Sequence, residues 1–295
     1  MSEGVSFLHP TMLELTSIPD LRSWTRAQRA AGHRIALVPT MGYLHEGHLA
    51  LVDEARRRAD VVVLSIFVNP LQFGPAEDLA RYPRDLPRDR ALASARGVDM
   101  IFVPDVAAMY PAGSEVRVNP GPASDRWEGA ARPGHFTGVL TVVAKLFNLV
   151  EPAVACFGQK DIQQLTLVRR MVRDLDWSLE VATVPTVREA DGLALSSRNA
   201  YLAPDDRKRA VILSRALKVA HLAWRAGETR VAALEACMRQ ALRREPEVIV
   251  EYIAVVEPEE LAPVDTADNT TVVAIAGRVG GTRLIDNMLL AEGIG

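Results

Sequence analysis

The stretch Asp60-Val61-Val62-Val63-Leu64-Ser65-Ile66-Phe67-Val68 decides the fold class. It is a nearly unbroken β-branched and apolar run. A strand with one wet face alternates polar and apolar side chains, whereas one covered on both faces has no reason to. The run therefore reads as a strand inside a parallel sheet, with helices on either side of it. Working outward, residues 49–59 place Leu49, Val52 and Ala55 at helical spacing, and residues 34–38 form a strand before them. Helices over 85–95, 136–150 and 162–174 then alternate with strands over 99–103, 153–157 and 179–184. That alternation is the signature of βαβ units.

Beyond Pro185 the pattern changes. Residues 205–226 and 229–244 read as two long helices, followed by strands over 248–256, 271–276 and 283–290, an α+β arrangement. The expected architecture is α/β: a Rossmann-like parallel sheet over residues 1–186, with a second, smaller α+β domain over 187–295 that acts as a lid. A cleft between the two would suit a ligand.

The chain has 295 residues, which supports about two domains, and its formal net charge is -3. Thirty-four basic residues against 37 acidic ones do not make the basic surface that a nucleic-acid partner needs. Cys156 and Cys237 form no CxxC pair, which argues against a disulfide scaffold or a cysteine zinc site and fits a reducing, cytoplasmic setting. No leader is visible at the N-terminus, and the longest apolar run falls well short of the about 20 residues needed to span a bilayer, so no membrane role is expected.

The strand over 34–38 runs into Pro39-Thr40-Met41-Gly42-Tyr43-Leu44-His45-Glu46-Gly47-His48 and then into a helix. His45 and His48, three apart at a helix start, share a face. Free amides and the helix dipole there favour a phosphate, and two imidazoles can donate to its oxygens. Gly42 permits a tight turn, and Gly47 leaves bare backbone for a flat group. Zinc is disfavoured, because a zincin helix spaces its histidines by four. Gly158-Gln159-Lys160-Asp161 repeats the arrangement after the strand over 153–157, with Lys160 as a mobile positive charge. Leu195-Ser196-Ser197-Arg198-Asn199 is ordinary loop composition when read alone, yet it groups two hydroxyls with a permanent cation. Asn69 and Gln72 lie beyond the end of the opening strand. Arg132-Pro133-Gly134-His135-Phe136 reads as a loop and helix cap, ahead of a buried stripe of Leu140, Val143 and Phe147.

The histidine segment resembles the His-Ile-Gly-His motif of the nucleotidyltransferase superfamily that includes class I aminoacyl-tRNA synthetases, and residues 38–48 resemble the pantoate–β-alanine ligases in particular. The 195–199 segment is similar to a degenerate Lys-Met-Ser-Lys-Ser loop, and the likeness extends to Thr282-Arg283-Leu284-Ile285-Asp286-Asn287. The resemblance implies an AMP-forming ligase that condenses pantoate with β-alanine through a pantoyl adenylate. It also implies ATP as a substrate, magnesium (Mg2+), and a cytoplasmic homodimer.

Carried onto this sequence, the resemblance places ATP against Met41, Gly42, Tyr43, Leu44, His45, Glu46, Gly47 and His48. Gly158, Gln159, Lys160, Asp161, Val187, Leu195, Ser196, Ser197 and Arg198 complete its pocket. His45, His48, Lys160, Ser196, Ser197 and Arg198 would carry catalysis, with His48 as proton donor. Gln72 and Gln164 would hold pantoate and the β-alanine approach, with Asn69, Tyr82 and Arg132 as neighbours. The metal ligands stay open, with Asp89 as one carboxylate that could meet magnesium. Gln159 stands where the family usually has Glu, and Leu195 where it often has Met. A tRNA-charging enzyme would need a tRNA surface. A vitamin nucleotidyl transferase would not need Gln72 and Gln164, and a silent nucleotide sensor would not need the intact cationic set.

Overall fold

The computed structural model describes residues 12–75 and 77–294. The first residues, where a leader was sought, lie outside the described ones. One sheet holds six strands: β1 (Leu13–Leu15), β2 (Ile35–Thr40), β3 (Val61–Ile66), β4 (Met100–Phe102), β5 (Val154–Gly158) and β6 (Glu180–Val184). All are parallel, in the order β1-β4-β3-β2-β5-β6. The helices between them are α1 (Ile18–Ala30), α2 (Glu46–Arg58), α3 (Leu86–Ala95), α4 (Val106–Met109), α5 (Glu128–Ala131), α6 (His135–Val150) and α7 (Ile162–Asp174).

The opening run behaves as its composition requires. Every residue of β3 is buried: Val61 and Val63 face α1 and α6, while Val62, Leu64 and Ile66 face α2 and α3. Covering both faces keeps whole Val and Leu side chains from water, at about 1.5–3 kcal/mol each. α6 is buried along nearly its whole length, not along a stripe, because α1 and α7 flank it on one side of the sheet.

The strand order carries the functional consequence. From β2 the chain moves to β3 and β4 on one side, then returns to place β5 and β6 on the other. The carboxyl ends of β2 and β5 therefore flank a topological switch point, where open α/β sheets bind ligands.

The remainder comprises α8 (Pro204–Ala210), α9 (Ile212–Arg225) and α10 (Val231–Leu242), then β7 (Ile249–Val256), β8 (Val272–Val279) and β9 (Thr282–Leu289) as an antiparallel sheet. A second core cluster joins α9 and α10 to one face of that sheet. A smaller one joins its other face to Trp127 and Ile162. Two readings are corrected. The helix expected over 205–226 is two helices meeting at Val211, whose ψ of -18° tightens the turn; no Pro or Gly marks the break. β1 and α1 were not anticipated, although Ser17 caps α1 by accepting the Asp20 N–H.

Candidate active site

Between β2 and α2 the chain turns from sheet to helix over Met41, Gly42, Tyr43, Leu44 and His45. Gly42 has φ of 78°, and a Cβ there would meet Ile66 Cγ2 at 2.8 Å, so the position requires glycine. Tyr43 follows with φ of 53°. The turn is held by Asp89, which is 1% exposed. Its carboxylate accepts the backbone N–H groups of Tyr43 at 2.8 Å and Leu44 at 2.7 Å. Burial pushes its pKa up, against the pull of those two bonds. Each carboxylate oxygen of Asp89 thus accepts one backbone N–H of the turn.

His45 is the N-cap of α2, and its Nδ1 accepts the Gly47 N–H at 3.1 Å. His48 Nδ1 accepts the His45 N–H at 3.4 Å. With both Nδ1 atoms acting as acceptors, each ring is the Nε2–H tautomer and keeps that N–H free to donate. The ring centroids are 4.1 Å apart. Burial first, and then the charge of Lys160, lowers the His45 pKa to about 4. Burial, followed by His45 and Lys160, holds His48 well below the ordinary value. Near neutral pH both act as uncharged donors. A Cβ on Gly47 would strike the His45 ring at 2.9 Å, so this glycine makes room for that ring.

The turn after β5 brings up Lys160, one-fifth exposed, with its Nζ 3.9 Å from Asp161. The 196–201 turn crosses over from the other side. Ser196 Oγ caps it by accepting the Arg198 N–H, and Ser197 Oγ donates to the Tyr43 carbonyl at 3.4 Å. Arg198 forms a two-pronged pair with Asp78 at 2.9 and 3.0 Å. Gln72, 8% exposed, donates to Met41 Sδ and accepts from Asn69. Asn69 is otherwise committed, donating to Gly138 O and accepting from Leu71 N and Tyr110 OH.

These groups surround a cavity of about 220 Å³ lined by Met41, His45, Gly47, His48, Asn69, Gln72, Tyr82, Arg132, Gly158, Lys160, Asp161, Gln164, Val187, Leu195, Ser196, Ser197 and Arg198. It shares Arg132, His135, Lys160, Asp161, Gln164, Ser196 and Arg198 with a wider cavity of about 810 Å³ that reaches β8 and β9. The remaining expected residues lie outside both linings. Gly42 and Tyr43 shape the turn, Leu44 is core, Glu46 points outward to Arg96 at 2.7 Å, and the Gln159 side chain is buried.

Three further residues belong with this wall. His135 donates Nδ1–H to the Gln72 carbonyl at 2.8 Å, and its Nε2 accepts from Arg132 at 3.1 Å. Arg132 in turn pairs with Glu77 and Glu128. The spacing of Arg132 and His135 at a helix start was the available signal. Ser65 and Thr186 line the smaller cavity with hydroxyls that have no hydrogen-bond partner among the described residues; their place at strand ends was the signal for them.

Uncharged imidazole donors, a lysine and an arginine gathered at a switch point define an α/β protein with a cleft made for anionic ligands. Comparison makes the class specific. The chain matches the family model described as Pantoate-beta-alanine ligase over residues 14–289, and it belongs to that family of enzymes, whose reaction is the ATP-dependent condensation of pantoate with β-alanine. It is 51% identical to the pantothenate synthetase of Moorella thermoacetica over 276 residues, 94% of this chain and 98% of that one. The crystal structure of pantothenate synthetase from Thermus thermophilus is similar with a TM-score of 0.90 at 52% identity, covering 95% of this chain and 99% of that one. A pantoate-beta-alanine ligase from Francisella tularensis, complexed with Beta-gamma ATP and Beta-alanine, has a TM-score of 0.79 at 31% identity, covering 96% of this chain and all of the other. Among the described residues no helix is long and apolar enough to cross a membrane.

Proposed function

We propose that the family reaction runs in the switch-point cleft in two steps. A pantoate carboxylate oxygen first forms a bond to the α-phosphorus of ATP, and pyrophosphate leaves with the bonding pair. The β-alanine amine then attacks the acyl carbon of the pantoyl adenylate, loses a proton, and AMP departs. Neither step needs a protein nucleophile; both need positioning and charge neutralisation.

The observation that carries this reading is the convergence of the His45 and His48 Nε2–H donors with Lys160, Ser196, Ser197 and Arg198 on one cavity. As hydrogen-bond donors, the neutral imidazoles stabilise charge that develops on phosphoryl oxygens without holding it in the ground state. Arg198 is shared with Asp78, so an incoming phosphate competes with that carboxylate for the guanidinium. Met41, Gly158, Val187 and Leu195 shape the ATP pocket, and Gln72 and Gln164 hold pantoate. The Beta-gamma ATP and Beta-alanine named for the Francisella relative support ATP and β-alanine as the substrates.

Magnesium fits this wall only as a companion of the triphosphate. Among the described residues no group of three or more His, Cys, Asp or Glu is arranged to hold a metal, and Mg2+ is commonly bound by one or two carboxylates together with substrate phosphates. Asp161, half exposed and paired among the described residues with Lys160 alone, would be the carboxylate to hold it. When bound, the ion neutralises phosphate charge.

Residues 1–186 and 187–295 are proposed as two domains, supported by separate sheets and separate core clusters. A homodimer and a cytoplasmic setting rest on the family resemblance. AMP release by purified protein, with ATP, pantoate and β-alanine omitted in turn, tests the reaction. AMP should require all three for turnover; release indifferent to β-alanine, or no release, would refute it.

A further inference from the structure

Part of the family likeness falls on β9, in Asp286-Asn287, a pair with no part in the reaction described above. Successive side chains on a strand point to opposite faces. Asp286 shares the face of Leu284 and Met288, which pack on the helices, while Asn287 turns toward the β5–α7 turn.

Asp286 is 3% exposed and is gripped by Arg188 through two bonds of 2.7 and 2.9 Å. Arg188 also donates to the carbonyls of Gly192 and Asn287, and Asp286 accepts the Asn287 N–H at 2.8 Å. The Asn287 amide, itself 2% exposed, donates to the carbonyl of Gln159 at 3.0 Å and to that of Lys160 at 2.7 Å. Its Oδ1 is buried without a partner among the described residues. An unpaired buried acceptor is a cost to folding, set against the two bonds that the amide donates. At the other end, Arg188 sits at the foot of the loop that carries Ser196. It bridges to Ala194, and Leu195 N–H donates to Val187 O at 2.9 Å.

We propose that Arg188, Asp286 and Asn287 form a tie, anchored in the C-terminal sheet, that sets the Lys160 turn and the Ser196 loop at a fixed separation. Asn287 is then a positioning residue acting through Lys160. This inference rests on the role given to Lys160 above. Two loops from different parts of the chain must present their cations to one triphosphate, and a displacement of about 1 Å in such a group can cost about 100-fold in rate.

The test is Asn287→Leu, near in size and without donors. Pantoate-dependent exchange of pyrophosphate into ATP should fall about 10- to 100-fold in kcat, with KM for ATP changing less than about 3-fold. In a Lys160→Ala background the same substitution should add less than about 2-fold, because both act through one group. Asn287→Asp, which keeps the shape but turns oxygen toward the two carbonyls, should reproduce the loss and serves if the leucine variant does not fold. Wild-type kcat in these variants, or losses that multiply in the double variant, would overturn the tie. A wild-type protein inactive toward pantoate and β-alanine, or an unimpaired Lys160→Ala, would remove the reading on which it rests.

Discussion

Replacing His135 with glutamine should change how stability depends on pH. The imidazole is 8% exposed and has both nitrogens engaged, donating to the Gln72 carbonyl and accepting from Arg132. Burial, followed by the adjacent Arg132 charge, lowers its pKa to about 4. The unfolded chain takes up this proton as the pH drops below about 6.5, whereas the folded chain resists until about 4. Between those values the unfolded state binds more protons, so stability falls as pH falls. Integrating over that window, His135 alone costs about 2 kcal/mol at pH 5 and almost nothing at pH 8. Glutamine can offer Nε2–H to Gln72 and Oε1 to Arg132, and it does not titrate. Denaturant unfolding of both proteins at pH 8 and pH 5 isolates this contribution, since the other histidines are common to both. The variant should be no more stable at pH 8, and should gain about 2 kcal/mol relative to wild type at pH 5. A difference between the two that stays constant with pH to within about 0.5 kcal/mol would refute the reasoning. So would an NMR titration placing His135 near about 6.5.

Other outcomes follow from single contacts. Gly138→Ala adds a Cβ that would run into the Leu71 carbonyl, so a change worth about 1 kcal/mol of stabilisation in an exposed helix should instead destabilise. Thermal melts decide its sign, and the shift should disturb Gln72 beside it. Asp89→Ala strands the N–H groups of Tyr43 and Leu44 and should cost about 1–3 kcal/mol in denaturant unfolding, with a loss of turnover as His45 and His48 loosen. His48→Ala, Lys160→Ala and Arg198→Ala should each lower AMP formation at least about 100-fold; wild-type turnover in all three would end the charge-stabilisation assignment. Gln159→Glu should leave turnover nearly unchanged, because the side chain lies outside the cavity wall.

The elements legible from sequence were those with a local cause. β3 could be read because a doubly covered strand must be apolar throughout, and α7 was legible to the residue because its apolar face repeats at helical spacing. The short edge strand β1 was missed because three residues carry no period. The break at Val211 was missed because only the backbone geometry marks it. The histidine pair was legible through its strand–turn–helix setting, yet Glu46 could not be told from its neighbours without knowing which way the turn faces.

By itself, then, the sequence determined the α/β class, the place of the ligand loops at strand ends, and the family, because each of these resides in patterns a few residues long. The tertiary structure alone decided what those loops do to one another. Asp78 reaches Arg198 across 120 positions and Asn287 reaches Lys160 across 127. The neutral state of His45 and His48 depends on burial by several elements and on the nearby lysine. Separations of that kind leave no local pattern, and a desolvation cost exists only once the surrounding chain has closed over the group.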